Sequence, residues 1–213
     1  MNNERYAVVV LNGFTQSDSK TLEKLLSSQC DLFACDGGAN LLYQMKQIPK
    51  LILGDLDSIK SGVLTWFKSK GVEIEQFSPI KDNSDAELIF AKLSAKYDKI
   101  WVVGAVGKRF DHSLVNLFLL EKFPKLHYVS ECEEIFLVDK KEELLGLLGR
   151  TVSILPLTSE VVVTLRGFEY PLTKGVLHRS SSKGLSNVVS HIRAEIEVEE
   201  GKVIVIACAE ECI

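Results

Sequence analysis

Three short segments carry the residue types that phosphate and divalent-metal chemistry needs. Gly54-Asp55-Leu56-Asp57-Ser58 follows the apolar run Leu51-Ile52-Leu53. If extended, it points Asp55 and Asp57 to one side, because strand side chains alternate with period two. Two carboxylates at a strand's end can ligate Mg2+, a hard cation that prefers oxygen. A structural role is open beside the functional one, with Asp57-Ser58 capping a helix over 59–70. Asp82-Asn83-Ser84-Asp85-Ala86-Glu87 opens the next helical stretch. Asp82 and Asp85, three apart, share one side of its first turn. Acids there complement the helix dipole, and Asp85 also offers the same metal a third carboxylate.

The third segment runs from Gly104 to His112 (GAVGKRFDH) and joins an apolar run to a helical one. Two glycines can expose backbone N–H groups, and a helix N-terminus favours an anion. Lys108 and Arg109 add positive charge, so the cluster reads as a phosphate site. It has neither the P-loop nor the dinucleotide-fingerprint spacing. His112, taken alone, reads as an ordinary helical histidine. Asp36-Gly37-Gly38-Ala39-Asn40 is a similar junction, although Asp-Gly-Gly is by itself a common turn. Lys183-Gly184-Leu185-Ser186-Asn187 reads by default as a hairpin loop.

The elements around these segments place them together. Short apolar or alternating runs at 6–12, 32–35, 51–53, 72–77, 100–103, 126–129 and 135–138 predict strands. Helical spacing predicts helices over 18–28, 59–70, 82–97 and 111–122. Such alternation implies a parallel sheet with helices on both faces. Ligands of these sheets bind outside the carboxyl ends of the strands, where the Gly/Asp clusters fall. After residue 150 the pattern changes to short strands at 151–157, 161–165, 175–179, 188–198 and 202–207. An antiparallel sandwich is expected there, with 140–150 as the linker.

Composition narrows the class. Hydrophobic residues make up 46% and charged residues 25% of the 213, which excludes a disordered chain. The net charge of −4 disfavours nonspecific nucleic-acid binding. The five cysteines are odd in number and form no CxxC pair, so neither a disulfide framework nor a structural zinc site is expected. No cationic segment precedes a long apolar run, and no run approaches the ~18 residues of a membrane span. A cytoplasmic protein without membrane partners is expected.

Taken in order, DGGAN (36–40), GDLDS (54–58), DNSDAE (82–87), GAVGKRFDH (104–112) and Asn116 resemble the thiamin pyrophosphokinase family. Gly167-Phe168-Glu169-Tyr170-Pro171-Leu172 and Gly184-Leu185-Ser186-Asn187 resemble its C-terminal motifs. The resemblance implies an α/β protein. An N-terminal Rossmann-like parallel-sheet domain over 1–140 would bind ATP and Mg2+. A small antiparallel C-terminal β-sandwich over 141–213 would bind thiamin and form a homodimer. The activity implied is transfer of the diphosphate of ATP to thiamin, giving thiamin diphosphate and AMP. The resemblance assigns Mg2+ to Asp55, Asp57 and Asp85, and catalysis to these with Arg109 and Asp111. It assigns ATP to Asp36, Gly37, Gly38, Asp82, Gly104, Gly107, Lys108, Arg109, His112 and Asn116, and thiamin to Ser186 and Asn187. A related enzyme acting on a hydroxymethyl pterin, or a nucleotide-binding module without turnover, would share much of the phosphate apparatus.

Overall fold

Ala7, Val8, Val9 and Val10 are all fully buried, because β1 (Tyr6–Val10) runs through the middle of a sheet covered on both faces. The structure is a computed structural model and describes residues 4–15, 17–26 and 29–209. The chain forms two compact units that divide between Glu131 and Cys132. After β1 the first unit continues with α1 (Asp18–Leu26), β2 (Asp31–Cys35), α2 (Gly38–Gln44), β3 (Leu51–Gly54) and α3 (Val63–Ser69). It is completed by β4 (Glu73–Gln76), α4 (Asp85–Ser94), β5 (Lys99–Val103), α5 (Phe110–Lys122) and β6 (Leu126–Val129).

Its six strands are all parallel, in the order β6-β5-β1-β2-β3-β4. The chain steps outward from β1 to β4, then returns to lay β5 on the other side of β1, with Val8 flanked by Leu32 and Trp101. Strand order therefore reverses between β1 and β5, which opens a crevice at their carboxyl ends. Val8 and Val10 pack with Leu22, Leu42 and Phe67 of α1, α2 and α3. By the period of two, Ala7 and Val9 face the other way. Phe90 of α4 meets Phe123, the residue that ends α5, with the rings edge to face at 6.1 Å.

The amino end of β2 carries a polar tie. The Tyr97 hydroxyl donates to Asp31 Oδ2 at 2.6 Å, and Lys50 Nζ lies 2.7 Å from Asp31 Oδ1. Burial pushes the Asp31 carboxyl up, but the hydrogen bonds from Lys50 and Tyr97 outweigh it and hold it below its ordinary value. A depressed carboxylate stabilises the fold above its unfolded pKa, near 4, and that contribution is lost as pH falls through the lower folded value. Asp31→Asn is expected to cost about 1 kcal/mol at pH 7. In denaturant melts the difference from wild type should shrink as pH falls below the ordinary carboxylate range; a constant difference would contradict the assignment.

The second unit contains β7 (Glu133–Val138), β8 (Lys141–Leu145), β9 (Thr151–Pro156), β10 (Glu160–Arg166), β11 (Leu172–His178), β12 (Asn187–Val188), β13 (Arg193–Glu200) and β14 (Val203–Cys208). The strands form two antiparallel sheets, β12-β9-β14-β7 and β11-β10-β13-β8. Val152, Ile154 and Val205 of one sheet pack against Val161, Val163 and Ile196 of the other. Alternation is clearest in β13, where Ala194, Ile196 and Val198 are buried. Between them, Glu195 and Glu197 turn outward to Arg166 of the neighbouring strand.

Several expected elements are revised. The helix expected over 59–70 begins only at Val63, after Gly62 in the left-handed region (φ 85°), with no side-chain cap. Asp57 and Ser58 are thus not capping residues. The helix expected over 18–28 reaches Leu26; Ser27 and Ser28 lie outside the described residues. The expected linker contains β8, whose sequence KEELL is too exposed to read as a strand and which is ordered by pairing with β13. The single strand expected over 188–198 is two. After β12 the chain turns, with the Ser190 and His191 N–H groups both donating to the Gly167 carbonyl, and then enters the other sheet as β13. Cys132 is disulfide-bonded, contrary to the expectation of unpaired cysteines, whereas Cys30, Cys35 and Cys208 are free thiols. Cys212 lies outside the described residues.

Candidate active site

The carboxyl ends of β1, β2, β3 and β5, with the loop before α4, surround a cleft of about 760 Å³. Every acidic residue singled out in the N-terminal motifs lines it: Asp36, Asp55, Asp57, Asp82, Asp85 and Asp111. So do Gly104, Gly107, Lys108, Arg109, His112 and Asn116. Gly37 and Gly38 do not; they begin the α2 segment beneath it, closely packed against the Asn12 side chain and the Val10 carbonyl.

The carboxylates of Asp36, Asp55 and Asp57 each offer an oxygen within 4.8 Å of the others. The convergence of Asp55 and Asp57 does not arise from an extended strand. Leu56 between them is left-handed, with φ 69°, a conformation that costs a bulky side chain energy. Several contacts hold this turn. The Asn40 amide donates to the Ser58 carbonyl at 2.9 Å and accepts from the Lys60 N–H at 2.9 Å. The Asp36 N–H donates to the Leu53 carbonyl, and the Phe77 N–H to the Gly54 carbonyl. Asn40 is buried, so its loss would strand both partners. Burial pushes the Asp36 carboxyl above its ordinary value, and the nearby Asp55 charge adds to the effect against hydrogen bonds from Ser58 and Gly37. An oxygen-only trio of like-charged carboxylates, one of them half-buried, suits a hard divalent cation such as Mg2+.

Asp85 lines the same cleft without belonging to that trio. Its Oδ1 lies 3.0 Å from Lys81 Nζ. Ser84, not Asp82, caps α4, accepting the Glu87 N–H at 3.2 Å. The capping role is therefore real for one residue of this motif and leaves its two aspartates to the cleft.

The glycine-rich loop is fixed from below. The Ser113 hydroxyl accepts the Gly107 N–H at 3.1 Å and donates to the Arg109 carbonyl at 3.0 Å. The Asn116 amide donates to the Ala105 carbonyl at 2.7 Å. Asn116 is buried and so acts on the loop's shape. Gly13 and Gly107 pack backbone to backbone, since a Cβ on Gly107 would fall 2.0 Å from the Gly13 carbonyl oxygen. The Arg109 guanidinium is exposed and grips Asp111 through two N–H groups. That grip lowers the Asp111 carboxyl to about 2. Lys108 Nζ sits 4.7 Å from the Phe14 ring.

Asn12, Gly13, Lys81 and Ser113 were not singled out in the sequence, although all line the cleft. Asn12-Gly13 directly after an apolar strand was the available signal. In the second unit Ser186 is exposed and left-handed (φ 56°). The buried Asn187 amide donates to the Tyr170 carbonyl at 2.8 Å and accepts the Tyr170 N–H at 3.1 Å. Its side chain is thus engaged in bracing the Tyr170 backbone.

The family model described as "Thiamin pyrophosphokinase, catalytic domain" matches residues 22–131, just over half of the chain. The model described as "Thiamin pyrophosphokinase, vitamin B1 binding domain" matches residues 134–203. Thiamine pyrophosphokinase 1 of Oryza sativa subsp. japonica is 31% identical over 160 residues, covering 63% of this chain and 59% of that protein. Thiamine pyrophosphokinase 2 of the same plant is 27% identical over 148 residues, covering 59% and 54%. The chain thus spans little more than half the length of these curated relatives. The crystal structure of thiamine pyrophosphokinase from Bacillus subtilis superposes with a TM-score of 0.85 over 97% of this chain and 100% of that one, at 23% identity. That likeness bears on the fold.

Proposed function

The chain belongs to the thiamin pyrophosphokinase family, and on that premise we propose that it transfers the terminal diphosphate of ATP to thiamin. The thiamin hydroxyl oxygen attacks the β-phosphorus and forms the new O–P bond. The bond from that phosphorus to the oxygen bridging to the α-phosphorus breaks, and its electron pair leaves with AMP. The hydroxyl proton passes to a cleft carboxylate or water. The observation that carries this reading is the meeting of the acidic trio and the glycine-rich loop in one cleft at the strand-order reversal.

Such transfers need positioning and charge neutralisation more than covalent help from the protein. Asp55 and Asp57 would hold Mg2+, with Asp36 and Asp85 flanking them in the cleft. Bound there, the cation would neutralise phosphate charge as a Lewis acid. Arg109 would exchange its Asp111 partner for phosphate oxygens, which its planar fork matches. Asp82, Lys108 and His112 line the nucleotide side of this proposal, and Ser113 and Asn116 preserve the loop's shape. For thiamin, Ser186 stands as the contact and Asn187 as the residue that holds Tyr170 in place.

A homodimer belongs to the same proposal. Phe110, Leu114, Val115 and Phe118 leave an exposed apolar stripe along α5, a face that a second copy could cover. No helix among the described residues is long and apolar enough to cross a membrane, and a cytoplasmic location is proposed with the rest. The test supplies ATP and Mg2+ with thiamin or with a hydroxymethyl pterin and measures AMP. AMP with thiamin alone is expected. AMP with the pterin alone would transfer the site to that substrate, and AMP with neither would leave a binding module.

A further inference from the structure

The cleft presents six carboxylates but must receive a polyanion, so its own cations matter. Among the described residues three lysine or arginine side chains line it: Lys81, Lys108 and Arg109. Arg109 is bound to Asp111 and two-thirds exposed, and Lys108 rests on Phe14. Lys81 differs from both. Its side chain is only 17% exposed, whereas the other lysines in the described ion pairs range from 35% to 75%.

Its contacts leave it partly unspent. Lys81 Nζ donates to the Ser78 carbonyl at 2.9 Å. It lies 3.0 Å from Asp85 Oδ1, yet that buried oxygen receives no aligned hydrogen bond. An ammonium has three N–H groups, and Ser78 and Asp85 between them account for two at most, which leaves at least one for a ligand. Its surroundings are acidic, which keeps an ammonium charged and in place there. Lys81 stands just ahead of the Ser84 cap of α4, at the helix end that favours negative charge. It lies close enough to Cys35 for its charge to oppose those of Asp85 and Asp36 on that buried thiol. The lysine is thus fixed among the carboxylates at the end of β2.

We propose that Lys81 is a catalytic residue that binds the phosphates of the nucleotide, its ammonium held ready in the cleft by Ser78 and Asp85. Its flexible stem lets a compact charge follow the diphosphate, while Arg109 supplies a fixed fork. This assignment rests on the nucleotide half of the proposed function.

The test uses α,β-methylene-ATP with Mg2+. Its carbon bridge replaces the oxygen at the bond that diphosphate transfer breaks, so binding is read without turnover. By calorimetry Lys81→Met should bind this analogue about 10- to 100-fold more weakly than wild type, the loss expected for one charge-assisted hydrogen bond. Lys81→Arg should recover part of that affinity. Lys81→Gln, which keeps a donor for the Ser78 carbonyl, takes the place of Lys81→Met should the latter not fold. Wild-type affinity in a neutral variant would overturn the role of Lys81 while leaving the nucleotide site intact. Failure of the wild-type protein to bind the analogue would overturn the nucleotide reading and this inference with it.

Discussion

Asp57→Asn is expected to lower turnover at least ~100-fold, the scale of losing one major charge contact in the transition state, ~3 kcal/mol. The variant should remain folded. Asp57 is exposed, and α3 starts six residues later behind Gly62, so no helix depends on it. Its described contacts are local: its N–H donates to Asp55 at 3.3 Å, and its carboxylate accepts the Ser58 hydroxyl at 2.8 Å. Removing one charge from three crowded carboxylates relieves repulsion. The melting temperature without Mg2+ should therefore hold or rise, and its increase on adding Mg2+ should shrink. Near-normal turnover in a folded Asp57→Asn protein would remove Asp57 from the metal assignment.

Gly107→Ala should produce the second large effect, for a steric reason. The new Cβ would sit 2.0 Å from the Gly13 oxygen and 3.0 Å from its carbonyl carbon. Both are backbone atoms, so the loop after β1 or the loop after β5 must move. A shift of about 1 Å in a positioning loop can cost ~100-fold in rate, and forced overpacking costs ~1–3 kcal/mol in stability. The Gly107 N–H would also be drawn from Ser113. Kinetics and thermal melting check both parts. A variant with wild-type turnover and melting temperature would show that the loops need not meet so closely.

These two residues were legible to different degrees. Gly107 stood in a recognisable strand–loop–helix junction, but its contact with Gly13 joins segments about 90 residues apart in sequence. Asp55 and Asp57 were legible as a pair, though by the wrong geometry. Alternation along a strand suggested convergence, whereas the left-handed Leu56 achieves it. Asp36 could not be placed beside them from sequence, because its proximity depends on β2 and β3 lying side by side. The capping reading of Asp57-Ser58 failed because the helix starts only after Gly62, a glycine inside the expected helix that was the available breaker signal.

The fold was most legible where burial is two-sided. Val8 to Val10 and Leu51 to Leu53 read as strands because nothing polar interrupts them. It was least legible where pairing alone makes the strand. β8 has one buried residue, Leu144, and draws its order from β13. Asn187 looked like a ligand residue, yet its amide turns inward to the Tyr170 backbone. A side chain that satisfies a buried backbone and one that meets a ligand share the same chemistry, and only the fold separates them.

The most direct test of the central claim follows the phosphorus itself. The protein is incubated with Mg2+, thiamin and ATP radiolabelled at the β-phosphorus, and the products are separated. Diphosphate transfer predicts labelled thiamin diphosphate and unlabelled AMP in equal amounts, with no AMP formed when thiamin is left out. Labelled ADP accompanied by thiamin monophosphate, or an absence of thiamin-dependent AMP, would contradict it.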